Sequence, residues 1–352
     1  MFRFVFASLT PVVLIAAACL IGGGWPVLAL AYMTVFVALA DRLGPEALPE
    51  IAGAERAANW LSVTLALTHM VLLPLGVWAI AAGPALGSAG AVATGLALGL
   101  FLGQVSHPNA HELIHRSSRG LRRLGVAVYV TLLFGHHASA HPKVHHVHVA
   151  TERDPNSARQ GEGIYRFFLR AWIGSFRAGL RAETAARARR AGGAKGLHPY
   201  VIYLGGAAAT LALAGALAGG PGVAVLLVLC AYAQAQLLLA DYVQHYGLRR
   251  GIGADGRIAP AGAQHSWNAP QWYSSALMLN APRHSDHHQN PGRAFPALRL
   301  DPERMPMLPQ AMPVMAVIAL VPPLWRRVMD HRARAWAGDE GPMAKRRRGD
   351  DV

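Results

Sequence analysis

Six apolar stretches of about 20 residues divide the chain, at roughly 5–22, 25–41, 59–82, 88–108, 200–218 and 222–243. Each is long enough to cross the hydrocarbon core of a bilayer as a helix. The pattern therefore predicts an all-α integral membrane protein with six transmembrane helices. The breaks between paired stretches are short and helix-breaking: Gly22-Gly23-Gly24-Trp25-Pro26, Gly83-Pro84 and Gly219-Gly220-Pro221. They predict tight helical hairpins. The opening Met1-Phe2-Arg3 and the run behind it look like a signal peptide, but the hairpin partner and the later spans favour an uncleaved first helix. Two further apolar runs read as interfacial segments. The run at 121–134 is short and carries Arg122-Arg123, and that at 310–325 is crossed by Pro313, Pro322 and Pro323. Residues 165–190 read as an Arg-rich amphipathic helix lying on the membrane surface. No internal repeat is present, and 1–352 reads as a single domain.

Charge sets the orientation. Apolar residues make up 53% of the chain and charged residues only 15%, yet the net charge is +14. The short breaks near 22–26, 83–88 and 219–222 carry no charge, whereas all Lys and Arg other than Arg3, Arg42 and Arg56 fall within 106–198 and 246–352. Positive residues stay on the cytoplasmic side. Both termini and the long loops 109–199 and 244–352 are thus expected in the cytoplasm, beneath the inner membrane. The basic excess is then topological and implies no nucleic-acid partner. Lys345-Arg346-Arg347-Arg348 reads as a tail facing anionic lipid. Cys19 and Cys230, the 2 cysteines, lie in apolar runs and cannot build a disulfide framework or an iron–sulfur site.

Histidine carries the candidate chemistry, with 17 in the chain. His111 and His115 stand at i and i+4, so on a helix they share a face. His141, His145 and His146 form a second cluster, His245 ends the sixth apolar stretch, and His284, His287 and His288 form a fourth cluster. The topology puts all nine on one side of the membrane. Neutral imidazole is the commonest metal ligand, and nine are too many for one ion. His69, His198 and His331 read as isolated hydrogen-bonded residues. His111-Glu112-x-x-His115 is also the zinc-protease signature. A hydrolytic zinc site needs three protein ligands, however, and leaves the remaining imidazoles without a use.

These segments carry a resemblance. His111 through Arg116, His141 through His146, Val149 through Pro155, Asp241 through Gly247, His265-Ser266-Trp267-Asn268 and Arg283 through His288 resemble the integral-membrane alkane 1-monooxygenases and xylene monooxygenases. Those enzymes belong to the wider membrane desaturase–hydroxylase superfamily. The HxxxH first box, the HxxxHH second box and the Tyr-Gly after His245 favour the hydroxylase branch over a fatty acyl or lipid desaturase, the alternative within the superfamily. This chain has Ala140 where the family commonly has Glu before the second box. It has Asp241 and Gln244 where the family has Asn-Tyr-x-Glu before the third.

The resemblance implies a cytoplasmic His-rich di-iron cap holding two Fe ions, with His111, His115, His141, His145, His146, His245, His284, His287 and His288 as ligands and O2 as co-substrate. Glu112, Asp154, Asp241 and Asp286 are the candidate carboxylates behind the rings, and His265 is a further candidate support for the ligands. Asp154, followed by Pro155-Asn156, reads equally as a cap of its own loop. The implied reaction is hydroxylation of a C–H bond in an apolar hydrocarbon, at the terminal carbon of an alkane or an alkyl side chain. The chain lacks the paired CxxC motifs of a fused rubredoxin and any dinucleotide fingerprint. Electrons are therefore expected from a separate rubredoxin or ferredoxin and its NAD(P)H-dependent reductase, docking at Arg177 and Arg181.

Overall fold

The computed structural model describes residues 1–190, 196–252 and 256–336. The Lys345-Arg346-Arg347-Arg348 tail lies outside them. Helices are the only regular elements longer than an isolated bridge among the described residues, with loops between them and bridges such as Ile252 with Ile258. Five helices are long and apolar enough to cross a membrane: α1 Phe2–Ile21, α2 Trp25–Leu43, α3 Glu55–Ala81, α4 Ser88–Ile114 and α8 Pro199–His245. Between α4 and α8 lie α5 Arg119–Thr131, the compound helix α6 over 137–148 and α7 Ile164–Ala188. After α8 come α9 Trp272–Leu277, α10 His284–Gln289, α11 Met312–Ala319 and α12 Pro322–Ala335.

The fifth and sixth apolar stretches form one element, α8, with a sharp bend inside it. Ala218 and Gly219 leave helical geometry, and Gly219 adopts φ 60°. A Cβ placed on Gly222 would sit 2.3 Å from the carbonyl oxygen of Ala214. In a straight helix residues eight apart are about 12 Å apart along the axis. The chain therefore doubles back, and α8 is a helical hairpin of the kind Gly219-Gly220-Pro221 predicts. The 121–134 run becomes the 13-residue α5, and the 310–325 run becomes α11 and the start of α12. α5 and α11 are each too short to span.

Two helical segments are longer than the hydrocarbon layer of a bilayer is thick. The 27 residues of α4 and the second half of α8, 220–245, each extend roughly 40 Å, against about 30 Å of hydrocarbon. His111 and His245 lie near the ends of these segments, where they meet the histidines of α6 and α10 in a cap built from those helices and their loops. The spans pack through a core that includes Phe4, Leu65, Leu73, Leu98, Phe101, Leu226 and Leu238. His69, buried on α3, is bonded on both ring nitrogens, to Ser106 Oγ at 3.0 Å and Thr131 Oγ1 at 2.9 Å. It pins α3 to α4 and α5.

The bend at Gly219 is testable. A β-branched side chain is strained at positive φ by about 1–2 kcal/mol. Gly219→Val is expected to lower the melting temperature of the detergent-solubilised protein, whereas Gly220→Ala, with no neighbour within 4 Å of an added Cβ, should leave it near the parent value.

Candidate metal centre

Nine buried or half-buried imidazoles meet in the cap as two neighbouring sets. His111, His115, His141, His146 and His287 form one, and His145, His245, His284 and His288 the other. Within each set the ligand-capable nitrogens all lie within 4.8 Å of one another. That limit lies close to the roughly 4.2 Å between nitrogens on opposite sides of a zinc-sized ion, and each set could hold one ion. The sets are side by side: the His146 and His288 rings are 4.6 Å apart, centroid to centroid, and those of His141 and His145 are 5.1 Å apart.

Helical geometry explains how four short segments feed two sets. Adjacent residues on a helix point about 100° apart. His145 and His146 therefore separate into different sets, and so do His287 and His288. His284 and His288, at i and i+4, converge on one set, as do His111 and His115. The second box departs from this rule. His141 joins His146 at i+5 rather than His145 at i+4, because the backbone over 141–145 is a wide turn in which the His146 N–H bonds the His141 carbonyl. An i→i+5 turn places residue i+5 under residue i, and such turns recur at functional sites.

The nitrogens that converge are Nε2 atoms, and their contacts cannot all be hydrogen bonds. His141 Nε2 lies 2.7 Å from His111 Nε2 and 2.9 Å from His146 Nε2, which is itself 3.1 Å from His287 Nε2. In the second set His284 Nε2 lies 3.1 Å from Nε2 of both His245 and His288. A neutral ring nitrogen carries either one proton or one lone pair, so Nε2 of His141, His146 or His284, each with two such contacts, can satisfy only one of them. His115 Nε2 and His145 Nε2 are buried without a partner. Converging ring nitrogens that cannot all pair with one another are what a cation satisfies, so the residues of each set fit a metal ion. Burial, with neighbouring imidazoles adding to it, pushes the pKa of His141, His284, His287 and His288 well below the ordinary value. Those rings stay neutral and ready to ligate.

Of the four candidate carboxylates, Asp154 is the one that meets a ring, with Oδ2 at 2.8 Å from His145 Nδ1. It also caps its own loop, accepting the Asn156 N–H at 3.0 Å and the Ser157 hydroxyl at 2.7 Å. Burial pulls the His145 pKa down, but the Asp154 carboxylate outweighs it and the net shift is upward. Burial likewise raises Asp154, and His145 with the loop donors brings it below its ordinary value. Asp241 instead accepts from the Asn156 amide at 2.6 Å, which ties α8 to the Asp154 loop. Glu112 pairs with Arg116 and accepts the Phe295 N–H at 3.0 Å. Asp286 binds Arg293 at 2.5 Å and the Arg299 N–H at 2.9 Å. Glu112 and Asp286 therefore hold the 290–299 loop against the cap instead of touching a ligand ring. They sit beside histidines in the sequence, but their side chains leave the helix on other faces.

His265 closes a short turn, its Nδ1 accepting the Gly262 N–H at 2.8 Å. Sequence reasoning missed Asn156 as a link between carboxylates and Arg116 as a clamp on the 292–295 loop. It also missed the buried pair Asn268 and Ser285. The Asn268 amide bonds Ser285 Oγ at 2.8 Å and accepts the Ser285 N–H at 2.9 Å, fixing α10 at its first turn. Ala140 and Gln244 hold no charge near the rings. Ala140 packs closely on Gly179 of α7, and the Gln244 amide donates to the Ala281 carbonyl at 3.1 Å.

Comparison with known proteins gives the family. The family model for fatty acid desaturases matches residues 86–318. An alkane 1-monooxygenase of Pseudomonas aeruginosa is 35% identical over 256 residues, 70% of this chain and 64% of the relative. A second alkane 1-monooxygenase of that organism is 30% identical over 328 residues, 90% of this chain and 86% of the relative. The hydroxylase component of a xylene/toluene monooxygenase from Pseudomonas putida is 27% identical over 245 residues, 65% of this chain and 61% of the relative. The chain spans just under two thirds of the length of the first of these. With the match over 86–318 enclosing all nine histidines, the chain belongs to the fatty acid desaturase family and has alkane 1-monooxygenases among its relatives.

Proposed function

We propose that the chain is an O2-dependent monooxygenase that hydroxylates a C–H bond of an apolar hydrocarbon, at the end of an alkane or an alkyl side chain, using two iron ions. The observation that carries this reading is the division of nine converging imidazoles into a set of five and a set of four. All-imidazole donors suit iron, copper, zinc or nickel and not magnesium or calcium. The names of the relatives favour an oxygenase, and so iron. A zinc protease has no use for the second set. The two irons would supply the oxidising chemistry: one oxygen atom of O2 enters the C–H bond and the other leaves as water, consuming two electrons and two protons from outside.

The protein's own residues hold this arrangement. Asp154 fixes the tautomer and direction of the His145 ring, a support whose loss commonly weakens metal binding 10–100-fold. Arg116 with Glu112, and Arg293 with Asp286, lock the loop that follows α10. A hydrocarbon offers no hydrogen bond, so its recognition must come from shape. An apolar cavity of about 140 Å³ lies between α3 and the α8 hairpin, lined by Met70, Leu73, Val77, Leu213, Leu217 and Leu226. A second, of about 100 Å³, is lined by Pro108, Gln244 and Pro282, each within three residues of a candidate ligand. One methylene in such a space is worth only about 1–3 kcal/mol, so chain-length selectivity is broad.

In this reading the α8 hairpin makes two crossings, six in all, and the charge-free hairpin turns face away from the cytoplasm. The termini and metal centre face the cytoplasm, beneath the inner membrane, where a separate rubredoxin or ferredoxin with its NAD(P)H-dependent reductase delivers electrons.

Metal analysis of the purified protein should give two irons per chain. Incubation with octane, xylene and a fatty acid, with reductant and O2, should give an alcohol by mass spectrometry. An alkene product would move the assignment to a desaturase, and one zinc with no iron would end the oxygenase reading. Asp154→Asn should release metal to a competing chelator at a concentration 10–100-fold lower than the parent does, with the helical circular dichroism unchanged. A parent-like chelator titration would show that the His145 contact does not support the metal.

A further inference from the structure

The longest helix of the cap, α7, has three faces. Ile164, Phe167, Ala171, Ser175, Gly179 and Glu183 recur every three or four residues and are buried against the protein. A second stripe, Tyr165, Leu169, Trp172, Ile173 and Leu180, is apolar yet exposed. Arg166, Arg177 and Arg181 form the third face. On a wheel of 3.6 residues per turn the apolar stripe lies between the buried face and the arginines. A helix with one apolar and one cationic flank lies in the plane of a membrane interface.

Between this stripe and the first half of α8 is a groove of about 320 Å³. Its walls are Leu133, Trp172, Ile173, Phe176, Tyr203 and Leu204, and Arg177 stands among its lining residues. Tyr203 and Leu204 lie roughly 6–8 Å along a helix that begins at Pro199, the depth at which headgroup gives way to acyl chain. The groove is built rather than incidental. The Trp172 indole N–H donates to Gln234 Oε1 at 2.9 Å, which fixes that wall to the second half of α8. His136 Nε2 lies 3.3 Å from Ser175 Oγ, which joins the groove floor to α7. Glu183, the one carboxylate on α7, is taken up by Lys143 and Ser139 on the buried face. Among the described residues nothing anionic pairs with Arg177.

We propose that this groove binds an anionic phospholipid of the surrounding leaflet, with one acyl chain along Trp172, Phe176 and Leu204 and its phosphate on the Arg177 guanidinium. The occupant follows from charge and depth together. An apolar slot at headgroup level, edged by an unpaired planar cation, matches a phosphate oxygen pair joined to a hydrocarbon tail. Arg177 is thereby assigned to the membrane and not to an electron carrier. The inference needs only that the chain sits in a bilayer, so it stands or falls independently of the reaction catalysed.

The full-length protein, reconstituted into phosphatidylcholine vesicles, is titrated with acyl-brominated phosphatidylglycerol or with acyl-brominated phosphatidylcholine, and tryptophan quenching is followed. The anionic lipid should quench at lower mole fraction, and Trp172→Phe should remove that preferential component. Arg177→Gln should reduce the preference about five-fold, as expected for one surface cation, while Arg177→Lys keeps most of it. If Trp172→Phe fails to fold, the phosphatidylglycerol retained by the purified parent and by Arg177→Gln gives the same comparison. Equal preference in the parent and in Arg177→Gln overturns the proposal. Slower reduction of Arg177→Glu by an acidic carrier, with lipid preference intact, overturns it in favour of carrier docking.

Discussion

Nine imidazoles buried side by side are unstable company unless something positive lies between them. Their Nε2 atoms face one another at close range, and several of them meet more neighbours than one proton or one lone pair can serve. A buried polar atom without a partner costs about 1–3 kcal/mol, and a bound cation is one group that would satisfy such nitrogens. Much of the architecture around it meets that constraint. α4 and α8, longer than a bilayer is thick, carry His111 and His245 near their ends, the wide turn over 141–145 re-aims His141 toward His146, and α10 divides its histidines between the two sets.

The carboxylates show how charge is kept from scattering the rings. Asp154 touches a ring, and Asn156 links its loop to Asp241. Glu112 and Asp286 work one layer further out, each matched to an arginine and to a backbone N–H of the loop beyond α10. Glu112 and Asp286 are thus neutralised by their own arginines, which leaves Asp154 as the carboxylate in contact with a ring. The same economy is visible on α7, where Glu183 is turned inward to Lys143 and the outward arginines are left to the interface.

Much of the fold was legible because a membrane imposes a simple rule. A stretch near 20 apolar residues must be a helix that satisfies its own backbone, and glycine with proline must break it. This is why the hairpin at Gly219-Gly220-Pro221 and the short α5 and α11 follow from the sequence. The histidine boxes were legible for a different reason, since HxxxH and HxxHH spacing is itself helical geometry. Their division was not legible. Regular periodicity pairs His141 with His145, and a one-residue widening of the turn, invisible in composition, pairs it with His146.

The sequence by itself determined the helices, their apolar lengths, the clustering of basic residues and the four segments able to offer imidazole. These depend on local pattern, and local pattern is what a sequence displays. Only the tertiary structure decided which ring belongs to which set, that Asp154 and not Glu112 or Asp286 meets a ring, and that Trp172 and Arg177 edge a common groove. Each of those rests on side chains from segments far apart along the chain, and their meeting is set by packing between helices rather than by the spacing within any one of them.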